Sequence, residues 1–338
     1  MGILRELDVG VIAAPMAGGA STPELAAAVG AAGGLGFLAA GYLTAEAMGE
    51  RIGRLRALTD RPFGVNLFVP ARDTADPQAL AAYRERMERE AARLGVEPGA
   101  AVWGDDDYPA KLAALRADPV PLVSFTFGCP APADIASLRR AGTEVMVTVT
   151  TSAEAEAAAD AGADALCVQG AEAGGHQASF EDAYERTIPL AQLLAEVRAR
   201  VRLPVVAAGG IGDAAEARRA LTGGAVAVQL GTALLCTPES GAAQVHKDAL
   251  LRQRFARTAV TRAFSGRRAR ALANRFLAEH DGSAPAAYPH IHHMTAPLRA
   301  AAARAAAADT VHLWAGTAFR AVRERPAAEV VADIAADL

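Results

Sequence analysis

A chain of 338 residues, 52% hydrophobic with 31 glycines and only 5% aromatics, can bury a large core in one α/β domain, with or without a smaller appendage. A net charge of −4, with acidic and basic residues interspersed, leaves no basic stripe for nucleic acid and no polybasic patch for a membrane surface. No stretch stays apolar for the roughly 18 residues that a membrane span requires. The opening MGILRELDVG lacks the basic-then-apolar pattern of a secretory signal, and Glu6 replaces the Ser or Thr of a myristoylation start. Cys129, Cys167 and Cys236 are odd in number and far apart, which argues against a disulfide framework and for a reducing, cytoplasmic setting.

In chain order, eight short apolar runs read as strands: VGVIAAPMA, LGFLAA, FGVNLFV, PLVSFTFG, EVMVTVT, DALCVQG, PVVAAGG and VAVQLGT. They are continuously apolar and rich in β-branched residues, as parallel strands covered on both faces must be. Helical patterns lie between most of them, such as TPELAAAVGAAG, with Thr22 as N-cap and Pro23 in the first turn, and SAEAEAAADAG. Gly33, Gly142, Gly162 and Gly223 stand where helices end and a left-handed backbone is wanted.

Eight strand–helix alternations predict an α/β fold of the (β/α)₈ TIM-barrel type. A doubly wound sheet would want G-x-G-x-x-G opening its first helix, and the turn here is APMAGGASTPEL. Asp73 to Asp118 reads as a long helical insertion between the third and fourth strands, with a loop around VWGDDDYPAKL. From Ser240 to Ala308 the sequence is Arg- and Ala-rich with no convincing strand. It predicts a smaller, mainly helical second domain inserted after the eighth strand. The expected boundaries are a barrel over 1–238, a substrate-covering domain over 239–310, and VHLWAGTAFRAV with the remainder, 311–338, as a helix returning to the barrel.

In such a barrel the C-terminal strand ends converge on one mouth. That gathers Pro15 and Met16, Asn66, Thr126 to Cys129, Gln169 with the following glycine-rich turn, Gly209 and Gly210, and Gly231 and Thr232. The turns AAGGIGD and QLGTALL end strands on glycine, where peptide N–H groups with a helix N-terminus behind them form an anion site, or are simply tight βα turns. His176, the sole histidine of the barrel half, follows Gly174-Gly175 at a strand end and is the candidate acid–base residue. Glu172 is four positions earlier and reads better as a loop brace than as its partner. HIHH (His290, His292, His293) invites a metal reading but offers no fixed ligand geometry, so no metal is expected. A loop over the mouth suits it better, with Tyr288 and His293 as substrate contacts. Cys129 has no sequence-coupled histidine and reads as a lining residue.

Together APMAGGASTPELAAAVGAAGGLGF, PFGVNLF, GCPAP, VQGAEAGGH, VAAGGIGD, VQLGTALL and FSGRRARALANRF resemble, in order along nearly the whole chain, the nitronate monooxygenase (2-nitropropane dioxygenase) family. The resemblance implies an FMN-dependent barrel that oxidises alkyl nitronates, such as propionate 3-nitronate, with molecular oxygen. It implies that Ala14, Pro15 and Met16 lie against the flavin and that Asn66 and Gln169 hydrogen-bond it. Gly174, Gly175, Gly209, Gly210, Gln229, Gly231 and Thr232 would hold its phosphate and surroundings. His176 matches the family's active-site histidine. It would take a proton from a neutral nitroalkane, or bind the oxygens of a nitronate. Gln177-Ala178 stands where relatives commonly carry Arg-Gly, and Thr317 where Gln usually follows the glycine, so Gln177 is a further substrate candidate. The rival readings are an NADH-dependent flavin enoyl-acyl-carrier-protein reductase, whose family shares EAGGH, and a flavin-binding barrel without turnover. A homodimer is left open.

Overall fold

The computed structural model describes residues 2–182 and 187–336. Six strands and the helices between them follow the expected order: β1 (Val11–Ala13), β2 (Gly36–Ala39), β3 (Phe63–Phe68), β4 (Leu122–Thr126), β5 (Glu144–Val149) and β6 (Ala165–Gln169); a two-residue β7 (Gly175–His176), not among the expected strands, comes next. β8 (Val205–Ala208) and β9 (Ala227–Leu230) complete the barrel. β1–β6, β8 and β9 form one parallel sheet ordered β1-β9-β8-β6-β5-β4-β3-β2, and an Ile12–Leu35 bridge brings its ends together into a barrel. All eight sequence-predicted strands are therefore present.

Register explains the alternation of the side chains. Val65 and Leu67 of β3, with Val145, Val147 and Val149 of β5, point outward into the helix-facing core. Ile12, Phe37, Leu122, Met146, Cys167 and Val206 fill the barrel interior. Asn66, Ser124 and Gln169 are polar members of the same strands.

The helices that enclose the barrel are capped as their sequences demand. In α1 (Pro23–Ala31) the Thr22 hydroxyl accepts from Leu25 N at 3.0 Å, with Pro23 at the first position. Gly33, Gly142 and Gly162 have positive φ, but the fourth expected left-handed cap is Gly224 (φ +97°), while Gly223 keeps φ −70°. The outer ring continues through α2 (Ala45–Leu58); in the predicted insertion α3 (Pro77–Leu94) packs instead on the segment after β9, while α4 (Tyr108–Ala117) rejoins the ring. It is completed by α5 (Pro132–Arg140), α6 (Ser152–Asp160), α7 (Leu190–Arg200) and α8 (Ala214–Thr222).

Two expectations about the tail need correction. The segment after β9 carries helices α9 (Gln244–Leu251), α10 (Arg275–His280) and α11 (His290–Arg304), but also two strands, β10 (Thr258–Thr261) and β11 (Ala269–Leu272). β10 and β11 pair antiparallel, and β11 continues onto β7 through Ala269–His176 and Arg270–Gly175. ARAL has helix-favouring residues and gains strand form from these tertiary pairings, which local propensity does not register. Nor is VHLWAGTAFRAV a helix. Trp314 bridges Ala271, Gly316 reaches the barrel mouth, and only Phe319–Ala321 coils into a 3₁₀ turn. The closing helix is α12 (Ala327–Ala335), begun by Pro326 and packed on α1 and α8. Residue 1 and residues 337–338 of the expected boundaries lie outside the described residues.

The two insertions share one apolar core. Tyr83, Met87 and Ala91 of α3 pack with Phe264, Phe276, Ile291, Met294 and Leu298 of the post-β9 segment, and the Tyr83 hydroxyl donates to Ala263 O at 2.6 Å. Buried Glu90 ties the same elements by ion pairing with Arg275 at 2.8 Å. This assembly overlies the C-terminal strand ends, and no described helix is long and apolar enough to cross a membrane.

Candidate functional site

At the ends of β6, β8 and β9 the chain turns on glycine, and three of these turns fit against one another. A Cβ on Gly174 would fall 2.4 Å from Gly316 N, and one on Gly210 (φ +72°) would fall 2.8 Å from Glu172 Cβ. Only glycine lets the backbones approach so closely. Gly174, Gly209, Gly210, Gln229 and Thr232, all expected from sequence, line a single cavity, joined by Ala173, Ile211, Gly316 and Ala318. Gly316 N donates to Thr232 Oγ1 at 2.9 Å, so the late WAGT segment is stitched onto the β9 turn.

The α8 N-terminus behind this cradle is already closed. Asp213 Oδ1 accepts from Glu216 N at 2.8 Å, and Glu216 Oε2 accepts from Gly212 N at 2.6 Å. Any anion site there belongs to the loops rather than to the helix end. Gln229 supplies a second signal: its Nε2 donates to Cys167 Sγ at 3.4 Å, while its buried Oε1 has no partner. A buried acceptor without a donor is costly and marks a place for one.

The other expected cofactor residues separate into groups. Ala14 lies next to Gly231, with Met16 Sδ also near it, and Ser21 ties the turn by accepting from Met16 N at 2.8 Å and donating to Ala14 O at 3.3 Å. Pro15 lies between them. Asn66 is buried inside the barrel, and its Nδ2 donates to Ser124 O, Ser124 Oγ and Thr126 Oγ1 at 2.9–3.2 Å, leaving its carbonyl oxygen for a ligand. Gln169 spends both ends of its amide on the next loop: Nε2 donates to His176 O at 3.2 Å and Oε1 accepts from Ala178 N at 2.9 Å. It acts on the site by holding His176. Gly175 has φ +75° with open space where a Cβ would sit.

His176 stands at the seam between barrel and overlying assembly. Its Nε2 is 2.8 Å from Ser265 Oγ, and Phe127, Tyr288 and Trp314 surround the ring at centroid distances of 5.5, 5.7 and 5.4 Å. Burial, then the nearby cations Arg267 and Arg299, pull its pKa down to about 3, so the imidazole is neutral near pH 7.

Beyond Phe127 and Tyr288 opens a cavity of about 450 Å³ that includes Tyr42, Phe68, Trp103, Arg267, His292 and the expected substrate residues Tyr288 and His293. Tyr42 stacks on His292 at 3.9 Å, and burial pushes its pKa up to about 12. Tyr42 (φ 68°) and Phe127 (φ 77°) hold left-handed backbones, a strain of about 1–3 kcal/mol for each non-glycine residue that clusters at functional sites. Phe127 was expected at the mouth and His292 in the loop over it, while Tyr42 and Arg267 were not expected in this cavity; Arg267 lay in the quoted FSGRR run.

Gln177 does not join that cavity. It lines a separate crevice with Thr150, Gln169 and Ser179, and its Oε1 accepts from Arg268 Nε at 3.0 Å. Thr317 N donates to Glu172 O on the cradle side. Glu172 braces its loop as expected, its Oε2 accepting from Leu190 N at 3.0 Å. Cys129 packs against the barrel core, and burial raises its thiol pKa. The HIHH histidines diverge: His290 faces Asp73 at 3.4 Å, His292 Nδ1 faces Arg299 at 3.3 Å, and His293 lines the cavity. Among the described residues, Glu90, Glu279 and His280 have ligand spacing, but Arg275 and Arg93 already saturate the Glu90 carboxylate.

Fold and site together define a barrel enzyme, with a glycine-built cradle on one side of a neutral buried histidine and a roomy aromatic cavity on the other. The chain belongs to the nitronate monooxygenase family, whose pattern it matches over residues 7–337, and it is an oxidoreductase. It is 41% identical to a nitronate monooxygenase of Pseudomonas aeruginosa, with 97% of this chain and 95% of that one aligned. Among solved structures it is similar to a nitroalkane oxidase from Streptomyces ansochromogenes, at 54% identity, TM-score 0.96, and 98% and 96% coverage. It is also similar to FabK from Thermotoga maritima, at 28% identity, TM-score 0.72, and 98% and 93% coverage.

Proposed function

We propose that this protein uses FMN to oxidise alkyl nitronates, such as propionate 3-nitronate, with molecular oxygen. The observation that carries the reading is the pairing of the glycine cradle and its orphaned Gln229 Oε1 with His176 beside a substrate-sized cavity. The donor set fits a phosphorylated flavin. Loop peptides at Gly174, Gly209, Gly210 and Thr232 suit a phosphate, and Gln229 Oε1 can accept from a ribityl hydroxyl. Ala14 to Met16, Asn66 Oδ1 and Gly231 border the remaining mouth. When bound, FMN supplies the electron transfer from substrate to oxygen.

The chain's own residues position the substrate and move its proton. Ser265 occupies His176 Nε2, which leaves Nδ1 as the ring nitrogen for a proton. A neutral imidazole accepts the carbon-bound proton of a nitroalkane, the substrate class named for the Streptomyces relative. For a nitronate the same ring orients the oxygens, while Phe127, Tyr288 and Trp314 restrict water around it.

Purified protein is expected to be yellow, and its flavin spectrum is expected to change on anaerobic mixing with propionate 3-nitronate. Oxygen uptake should follow with no NADH present. Colourless protein that binds no added FMN would sink the reading. NADH consumption with a crotonyl thioester, without nitronate oxidation, would transfer the assignment to an NADH-dependent flavin enoyl-acyl-carrier-protein reductase.

A further inference from the structure

The cavity beyond His176 contains a buried cation with no ion-paired carboxylate among the described residues. Arg267 is only 3% exposed, and its guanidinium lies 4.1 Å above the Phe127 ring. One terminal nitrogen donates to Ser179 O, while Nε is buried with no partner. Among the described residues no carboxylate pairs with it. The nearby Asp182 is engaged by Arg262 at 3.1 Å and by Arg268 N.

The surroundings give no substitute for the missing anion. Arg299, likewise buried, donates to Thr295 Oγ1 and His292 O rather than to an acid. Its contact with His292 Nδ1 makes that nitrogen the acceptor and puts the imidazole proton on Nε2. Across the cavity, the Asp106 carboxylate is neutralised by Lys111 at 2.8 Å, and Asp107 accepts from Ala45 N at 2.7 Å. A desolvated guanidinium held by one aromatic face and one carbonyl, with no ion pair among the described residues, is poised for an anionic ligand.

Resting on the nitronate reading above, we propose that Arg267 is the substrate-binding cation of this cavity, gripping a planar two-oxygen anion beside His176. A guanidinium fork matches such a group in two parallel hydrogen bonds, which a lysine cannot reproduce. Nitronate and carboxylate share this shape, and both occur in propionate 3-nitronate. Arg267 thereby favours the preformed nitronate over the neutral nitroalkane.

The test compares flavin-loaded wild type with Arg267→Gln and Arg267→Lys on ethyl nitronate, propionate 3-nitronate and neutral nitroethane. Inorganic nitrate serves as a planar oxyanion that does not react. Loss of a charge-assisted pair is expected to raise the Gln variant's KM for ethyl nitronate about tenfold, with a smaller rise for Lys. Nitrate inhibition should weaken in parallel, while the KM for nitroethane moves less than about threefold. A rise confined to propionate 3-nitronate supports the grip and assigns it to the carboxylate. Unchanged KM for both nitronates with unchanged nitrate inhibition, in variants that retain flavin, overturns the proposal. Should both variants lose flavin, wild type decides: competitive nitrate inhibition supports the site and its absence overturns it. A wild type that turns over no nitronate defeats the functional reading instead, and nitrate-induced change in the flavin spectrum, lost in Arg267→Gln and weakened in Arg267→Lys, then reads the anion site alone.

Discussion

The cradle and the overlying cavity flank the same histidine but are made from different materials. The cradle is backbone: Gly174, Gly209, Gly210 and Gly316 bring three chain segments within contact, and side chains there are mostly absent. The cavity is built from long side chains, Tyr42, Arg267, Tyr288 and His292, delivered by segments far apart in sequence. A backbone-built site tolerates no added atom, because no rotamer can move a Cβ aside. A side-chain-built site can be retuned residue by residue. That difference suits the proposed roles, a cradle for the cofactor's phosphate and a cavity for substrate.

The sharpest way to break the comparison is Gly174→Val. Its Cβ alone would meet Gly316 N at 2.4 Å, so the WAGT segment must leave the β9 turn and the cradle opens. The expected outcome is loss of essentially all bound FMN, read from the flavin-to-protein absorbance ratio, with the far-ultraviolet circular dichroism retained. A variant that holds stoichiometric FMN would show that the three turns do not form the phosphate site.

His176→Ala comes next, because His176 belongs to both regions through β7. The expected loss in turnover of neutral nitroalkane is about 100-fold, the ordinary range for removing a positioned acid–base group, with bound flavin intact. Turnover of preformed nitronate should fall less, since no carbon acid needs deprotonation. Steady-state oxygen uptake on both substrates reads the contrast. Equal losses on the two would make His176 a binding residue and nothing more.

The same contrast governs what could be read from sequence. Strand runs such as EVMVTVT and the glycines after β6, β8 and β9 were legible because a covered parallel strand and a left-handed or tightly approached backbone each restrict residue type. His176 was legible because of those glycines. β10 and β11 were not, since TAVT and ARAL become strands by pairing with each other and with β7. Arg267 and Tyr42 were illegible as cavity residues for a related reason. An arginine in an Arg-rich run looks solvated until tertiary packing leaves it 3% exposed on a phenylalanine face. Gln169 was read as a cofactor ligand, yet its amide serves the His176 loop, a role fixed by contacts within one turn of chain.

The smallest expected effect is a pH dependence that separates the regions by titration. Burial holds His292 at about 2, His176 at about 3 and His246 at about 4, and His312 well below its ordinary value. At neutral pH each is uncharged in both folded and unfolded chains, so none affects stability. Below about pH 6.5 the unfolded chain takes up protons that the folded one refuses, so stability falls with pH until the folded pKa values are reached. Each such histidine contributes at most about 1.4 kcal/mol per pH unit within that window, less for His176, His292 and His312, which keep some solvent contact. The urea midpoint should therefore drop between about pH 7 and pH 5, and His292→Gln should flatten the drop. Activity should behave differently. Because His176 is already neutral, kcat/KM from about pH 6 to pH 8 should show no inflection that His176→Ala removes. An inflection near pH 6.5 that disappears in that variant would place the histidine in contact with water rather than in the buried seam between barrel and cavity.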